Sequence, residues 1–274
     1  MSIAESTKNT YEADIKRLVG LAGTVNLYDT KVMCATIEAQ PVGPARKKSY
    51  YVALHHYTVD KPDVANIYRD AFLKITKQLA EVAQKQKMTA KEEEKWMTWP
   101  QFQEAGLKIM NDTGLPLETR ILAGFVTQIP PARLDYTNLA IYSGSTPADV
   151  SGNFIEVRIN GTMSMELFIQ EHKTAKAWGT LRRILPRGLV KVIHEWMIAN
   201  GPDAVLFSDI TPIILGKRIA RMFLRHTGKA STINTLRHAY TTHVREGELS
   251  IKAKNTLSTT MGHSVTMSDL YRRI

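Results

Sequence analysis

Along the first ninety residues the apolar positions recur every three or four places. Tyr11, Ile15 and Leu18 keep that spacing after Ser6-Thr7-Lys8-Asn9-Thr10, a run of side chains able to cap a helix N-terminus. Ile67, Ala71, Ile75, Leu79 and Val82 form a longer stripe opposite Arg69, Lys74, Lys77 and Lys85, which predicts an amphipathic helix with a solvated basic face. Between them, PVGPARKK is a Pro/Gly-marked turn leading into SYYVALHHY. The stretch AQKQKMTAKEEEK is polar and almost free of large apolar residues, so it reads as a linker. Residues 1–90 are therefore expected to form a helical domain.

The pattern changes over residues 91–274. MTWPQFQEAGLKIMND predicts a capped helix with Pro100 in its first turn. NLAIY, NFIEVRI and SMELFIQEH alternate or are rich in β-formers, with SGSTPADVSG and NGT as turns and Asn160-Gly161 marking a tight reversal. GTLRRILP reads as a further short strand, and GLVKVIHEWMIANG and PIILGKRIARMFLRHTGK return to helical periodicity. The expected fold is mainly α (α+β), with a second domain of helices around a small antiparallel three-stranded sheet. No internal repeat or low-complexity tract interrupts it.

Composition narrows the classes. The 274 residues are 43% apolar, enough for real cores. No apolar run is long enough to span a bilayer, and MSIAESTKNTYEAD lacks a secretory signal pattern. A single cysteine, Cys34, excludes a disulfide framework within the chain and a multi-thiolate zinc site, and it fits a reducing, intracellular setting. The eight histidines show no metal spacing such as HExxH, so no cofactor or metal is expected. Thirty-six Lys+Arg against twenty-six Asp+Glu leave a net charge of +10, a balance suited to a polyanion such as nucleic acid.

Chemistry concentrates late in the chain. INTLRHAYTTHV carries Arg237-His238, MGHS carries His263, and Tyr271 follows eight residues later. Upstream, IPPARLDYTNLAIY contains Arg133 and HKTAKAWG contains Lys173. In this order the four segments resemble the tyrosine recombinase (phage integrase) family, in the style of the branch found in eukaryotic mobile elements, large DNA viruses and their satellite viruses. The resemblance covers residues 91–274, and the helical N-terminal region is similar in kind to the family's core-binding domain. It implies a DNA-cleaving enzyme that clamps duplex DNA between two domains, assembles as a tetramer on paired sites, and leaves room for an accessory DNA-bending protein. No membrane association is expected, from the apolar runs alone.

The residue types suit that reaction. Metal-free cleavage of a phosphodiester needs a nucleophile, positive charge for the non-bridging oxygens and an acid for the leaving alkoxide. Tyr271 can attack and keep the bond as a phosphotyrosine, so rejoining needs no ATP. Arg133 and Arg237 supply guanidinium forks that match two phosphate oxygens and stay charged. His263 can donate to the same phosphate, and Lys173 can protonate the departing 5′ oxygen.

Each residue also has an ordinary reading. Tyr271 alone would be a packing residue, and Arg237 or His263 alone a helix-end or surface group. Lys173 has rivals in Lys176, Arg182 and Arg183. Arg120 lies thirteen residues before Arg133, and the family's Arg-x-x-Glu is here Arg133-Leu134-Asp135-Tyr136, which leaves the first arginine open between the two. Asn234 stands where the family often has histidine; its amide can bond a phosphate oxygen but cannot shuttle a proton. His238 and His243 are read as supporting the core.

Candidate DNA contacts are more diffuse. Lys217, Arg221 and Arg225 recur every four residues opposite Leu215, Ile219, Met222 and Phe223, a face that suits phosphates or plain solvent. Arg46-Lys47-Lys48 beside Tyr50 and Tyr51 suggest a loop contact. Two other readings compete. A type IB topoisomerase would use the same residues as a monomer, and an architectural DNA-binding protein would retain the fold without the reaction. Only three residues follow Tyr271, so assembly contacts are expected from the N-terminal helices or from REGELSIKAKNTLSTT, with a monomer off DNA and a mobile Tyr271 segment.

Overall fold

The computed structural model describes residues 5–144, 150–201, 204–208, 210–246, 250–262 and 272–273. The chain forms two compact units, Met1–Lys85 and Gln86–Ile274.

Among the described residues the first unit holds four helices, α1 (Glu5–Ala22), α2 (Thr30–Ala39), α3 (Pro44–Tyr57) and α4 (Pro62–Gln84). Asp29 starts α2 by accepting from the Val32 N–H at 3.1 Å, and Pro44 and Pro62 open α3 and α4 where no intrahelical donor is lost. Leu18, Met33, Ile37, Tyr50, Tyr51, Leu54, Tyr68 and Ile75 form the core. Two of its phenols are satisfied from inside: Tyr68 donates to the Leu27 carbonyl at 2.7 Å and Tyr51 to Glu38 at 2.9 Å.

Two local expectations change here. The helix α3 begins at Pro44, so Arg46, Lys47 and Lys48 are helical rather than in a loop. The buried line of α4 runs through Ala65, Tyr68 and Ile75, while Ile67 and Val82 are 47% and 61% exposed. Tyr68 carries more apolar area than Ile67 and also reaches a carbonyl, so the helix turns that residue inward.

In the second unit the linker-like stretch contains a short helix, α5 (Ala90–Glu93), closed by a capping box between Thr89 and Glu92. It is followed by α6 (Trp99–Asn111) and α7 (Leu117–Thr127), then β1 (Ala140–Ser143), β2 (Phe154–Asn160) and β3 (Thr162–Ile169). After α8 (Ala175–Trp178) and β4 (Leu181–Ile184) come α9 (Arg187–Asn200), α10 (Pro212–Thr227), α11 (Ile233–Val244) and α12 (Ile251–Met261). The class is mainly α with a small sheet, as the periodicities imply. A Cβ at Gly106 of α6 would lie 1.8 Å from the Thr127 hydroxyl of α7, so these helices approach at a point only glycine allows.

The sheet order is β1-β2-β3-β4. β2, β3 and β4 pair antiparallel, with Gly161 at φ +72° between β2 and β3. β1 adds a fourth strand that runs parallel to β2, in register Ala140↔Phe154 to Ser143↔Val157. Alternation reveals which face of a strand is buried but not the direction of its neighbour, so four residues of β1 could not announce this pairing. Phe125 and Tyr136 stack at 5.2 Å in the core between α7 and the sheet. Among the described residues no helix is long and apolar enough to cross a membrane.

Candidate active site

Thr232 caps α11 through a capping box with Thr235, which fixes the start of the helix that carries Arg237. Arg237 is fully buried. Its Nη1 donates to the Pro131 carbonyl at 2.8 Å and its Nη2 to the Met261 carbonyl at 3.0 Å. Hydrogen bonds of this kind lower the cost of burying a guanidinium. They also aim it, because the rigid fork joins the segment before β1 to the end of α12.

Arg133 occupies the bend between α7 and β1 and is half-buried. Tyr136 shapes that bend by accepting from the Ala132 N–H at 2.8 Å, and burial pushes its phenol up to about 12. Asp135, half-buried two residues after Arg133, feels three basic side chains. Burial raises its carboxyl, while His172, Arg133 and Arg237 each pull it down, and the Arg133 backbone N–H donates to it. The three basic residues therefore act on one carboxylate from three separate segments.

Lys173 is exposed in the connection between antiparallel β3 and β4. Its neighbours are tied down. His172 Nε2 lies 2.8 Å from the Gly179 carbonyl, and Thr174 donates to the Gly262 carbonyl at 2.7 Å. Gly262 ends α12 in the left-handed conformation at φ +63°, with Thr174, Leu181 and His172 closest around it.

Three successive carbonyls at the end of α12 are thus taken by side chains from other elements. Thr260 is bound by Arg183, Met261 by Arg237 and Gly262 by Thr174. Helix C-termini leave these oxygens without partners and carry partial negative charge, so two guanidinium groups there are favourable. Burial lowers the Arg183 pKa. The residue pattern singles out neither Arg183 nor Thr174 for this role. The available signal was an inverted strand: β4 buries Leu181 and Arg183 and leaves Ile184 79% exposed.

The rivals separate by their partners. Arg120 is buried, donates from Nε to the Met110 carbonyl at 2.9 Å and pairs with Glu195 at 3.0 Å. Arg182 is held by both oxygens of Glu166 at 2.9 Å. Lys176 is exposed in α8. Asn234 is exposed, off the buried face that carries Arg237. His243 pairs with Glu246 at 3.3 Å and is partly exposed rather than core.

His263 and Tyr271 lie outside the described residues, as does the segment expected to be mobile. On the far side, Arg273 is anchored. Its N–H donates to the Thr242 hydroxyl at 2.9 Å, and its guanidinium pairs with Glu92 at 2.9 Å and meets His238 Nε2 at 3.2 Å. One residue beyond each flank of 263–271, the chain is bonded to α11, at Met261 through Arg237 and at Arg273 through Thr242 and His238.

Lys217, Arg221 and Arg225 are exposed on α10, opposite buried Leu215, Ile219, Met222 and Phe223. Arg221, Arg225 and His226 line a cleft of about 520 Å³ together with Glu118 and Arg218, which pair at 3.0 Å. In the first unit Arg46 pairs with buried Asp14 at 2.5 Å and lies 4.5 Å from the Tyr50 ring centre, and Lys47 pairs with Glu38 at 2.7 Å, while Lys48 is half-buried. Among the described residues no group of three or more His, Cys, Asp or Glu could hold a metal ion.

No family model matches the chain, and no curated protein matches it significantly. Among solved structures it resembles XerA recombinase, with a TM-score of 0.43 and 12% identity over 97% of this chain and 93% of that one. It also resembles the Tn1549 transposon integrase, solved in complex with transposon right end DNA, with a TM-score of 0.37 and 12% identity over 97% of this chain and 94% of that one.

Proposed function

We propose that this chain is a site-specific DNA recombinase, an integrase of a virus or mobile element, that cleaves and rejoins duplex DNA through Tyr271. The phenol oxygen attacks the scissile phosphorus, the bond to the 5′ oxygen breaks, and a 3′-phosphotyrosyl link and a free 5′-hydroxyl result. Arg133 and Arg237 stabilise charge on the phosphate oxygens, His263 donates to the same phosphate, and Lys173 protonates the leaving oxygen. Asn234 adds a neutral hydrogen bond. Rejoining reverses the steps, so the reaction needs neither ATP nor metal.

The observation that carries this reading is the convergence on the end of α12. Arg237 and the turn bearing Lys173 both bond the backbone that leads into His263, and Arg133 shares Asp135 with Arg237. The internal commitments of Arg120 support Arg133 as the first arginine. The exposed row Lys217, Arg221 and Arg225 suits a phosphate backbone. In the Met1–Lys85 unit, Lys48 and the exposed side of Arg46 are the cations proposed to contact DNA, with Lys47 more firmly held. Four copies assemble on paired sites.

A duplex nicked beside the scissile phosphate tests the proposal by trapping the intermediate. The expected result is an SDS-resistant protein–DNA adduct that forms in EDTA and is lost in Tyr271→Phe with DNA affinity kept. An adduct formed by Tyr271→Phe would remove the nucleophile assignment, and no adduct from the natural sequence would favour the architectural reading. On paired sites a Holliday junction marks a recombinase, whereas supercoil relaxation without a junction marks a topoisomerase.

A further inference from the structure

The turn between β3 and β4 is exposed at Lys173, yet the residues on either side of Lys173 are bonded inward. An exposed lysine has four rotatable carbons and many conformations, which suits solvent and poorly suits delivery of a proton to one atom. The backbone beneath it is far better defined. The Gly179 carbonyl can only accept, so His172 Nε2 carries a proton and donates across the turn at 2.8 Å, tying residue 172 to residue 179. His172 Nδ1 lies 3.2 Å from the Thr174 hydroxyl oxygen. The Gly262 carbonyl likewise only accepts, so Thr174 donates its hydroxyl hydrogen there at 2.7 Å. His172 and Thr174 therefore hold the turn shut from one side and fasten it to the residue before His263 from the other.

We propose that His172 and Thr174 are positioning residues for Lys173, and that the Thr174–Gly262 bond ties the turn bearing Lys173 to the end of α12. The inference rests on the proposed strand-cleavage reaction and goes beyond it. It assigns function to two residues that touch no reacting atom, and it states through which residue they act. If His172 and Thr174 work through Lys173, their loss matters only while the leaving group needs a proton.

The test compares His172→Ala, Thr174→Val and Lys173→Ala on two nicked substrates, one with the ordinary 5′-bridging oxygen and one with sulfur there, which departs without protonation. On oxygen at saturating DNA, His172→Ala and Thr174→Val are expected to slow adduct formation by ~10- to 100-fold, the scale of a misplacement near 1 Å. On sulfur both are expected within ~3-fold of the natural sequence, as Lys173→Ala is, the residue roughly an ångström out of place no longer being needed. His172→Gln, whose amide can still donate across the turn, should recover part of the oxygen rate. Hydrogen exchange in residues 170–180 of the DNA-free protein reads the turn without any reaction and should rise in His172→Ala and Thr174→Val. Unchanged exchange, or a defect as large on sulfur as on oxygen, overturns the proposal. If the natural sequence forms no adduct on either substrate, the cleavage reading itself fails and the positioning role falls with it.

Discussion

Arg237 and Met261, twenty-four residues apart, are joined by a 3.0 Å bond from a fully buried guanidinium to a main-chain carbonyl at the end of α12. The same guanidinium holds Pro131, so one side chain fixes the distance between the segment bearing Arg133 and the segment leading to His263. A lysine keeps the charge but cannot fork to both carbonyls. Arg237→Lys is expected to lose about 1–3 kcal/mol of stability and to slow adduct formation by ~100-fold or more. Urea denaturation and single-turnover trapping measure the two effects, and a variant with full activity would contradict the role.

Arg120 and Arg133 should part company. Arg120→Ala removes a buried ion pair and a bond to Met110, so it is expected to cost about 1–3 kcal/mol while leaving adduct formation at saturating DNA nearly unchanged. Arg133→Ala should keep the fold and lose the adduct. The reverse pattern would exchange the two assignments.

Lys173→Ala should be rescued by sulfur at the 5′-bridging position, because that leaving group needs little protonation. Arg133→Ala and Arg237→Ala should not be, since charge on the non-bridging oxygens remains. Lys176→Ala is expected to behave as the natural sequence on both substrates. Rescue of Lys176→Ala in place of Lys173→Ala would move the acid three residues along.

Arg273 offers a different handle. Its pairing with Glu92 is partly exposed and contributes little stability, yet it anchors the chain two residues after Tyr271. Arg273→Ala is expected to shift the melting temperature slightly and to slow adduct formation by ~10-fold with DNA affinity unchanged. Glu92→Gln, which can still cap Thr89, should show a smaller change in the same direction. Equal rates in all three proteins would make the anchor irrelevant to the reaction.

The sequence made much of the fold legible where periodicity is strong. The α10 stripe of Leu215, Ile219, Met222 and Phe223 is buried as its spacing implies, and Thr98 with Pro100 opens α6. It was less informative where tertiary competition decides, as in the rotation of α4 that buries Tyr68 and exposes Ile67. The direction of β1 is a property of the partner strand and has no local signature. Of the candidate site, the order of motifs singles out Arg133, Lys173 and Arg237; in the structure Arg237 and Thr174, beside Lys173, both bond the end of α12. Arg183 and Thr174 stayed hidden because an arginine in a strand and a threonine in a turn look like surface residues until their targets, carbonyls 77 and 88 positions away, are seen.

Those targets are main-chain oxygens, and every amino acid carries one. The hold on residues 260 to 262 therefore does not depend on which side chains stand there, only on the conformation that Gly262 permits. Information about this part of the molecule is stored in the grasping residues and not in the grasped ones. In a saturation library scored by recombination, the half-buried position 260 should accept most substitutions. Positions 183, 237 and 174 should accept almost none, although they belong to three elements with no sequence proximity to the stretch they control.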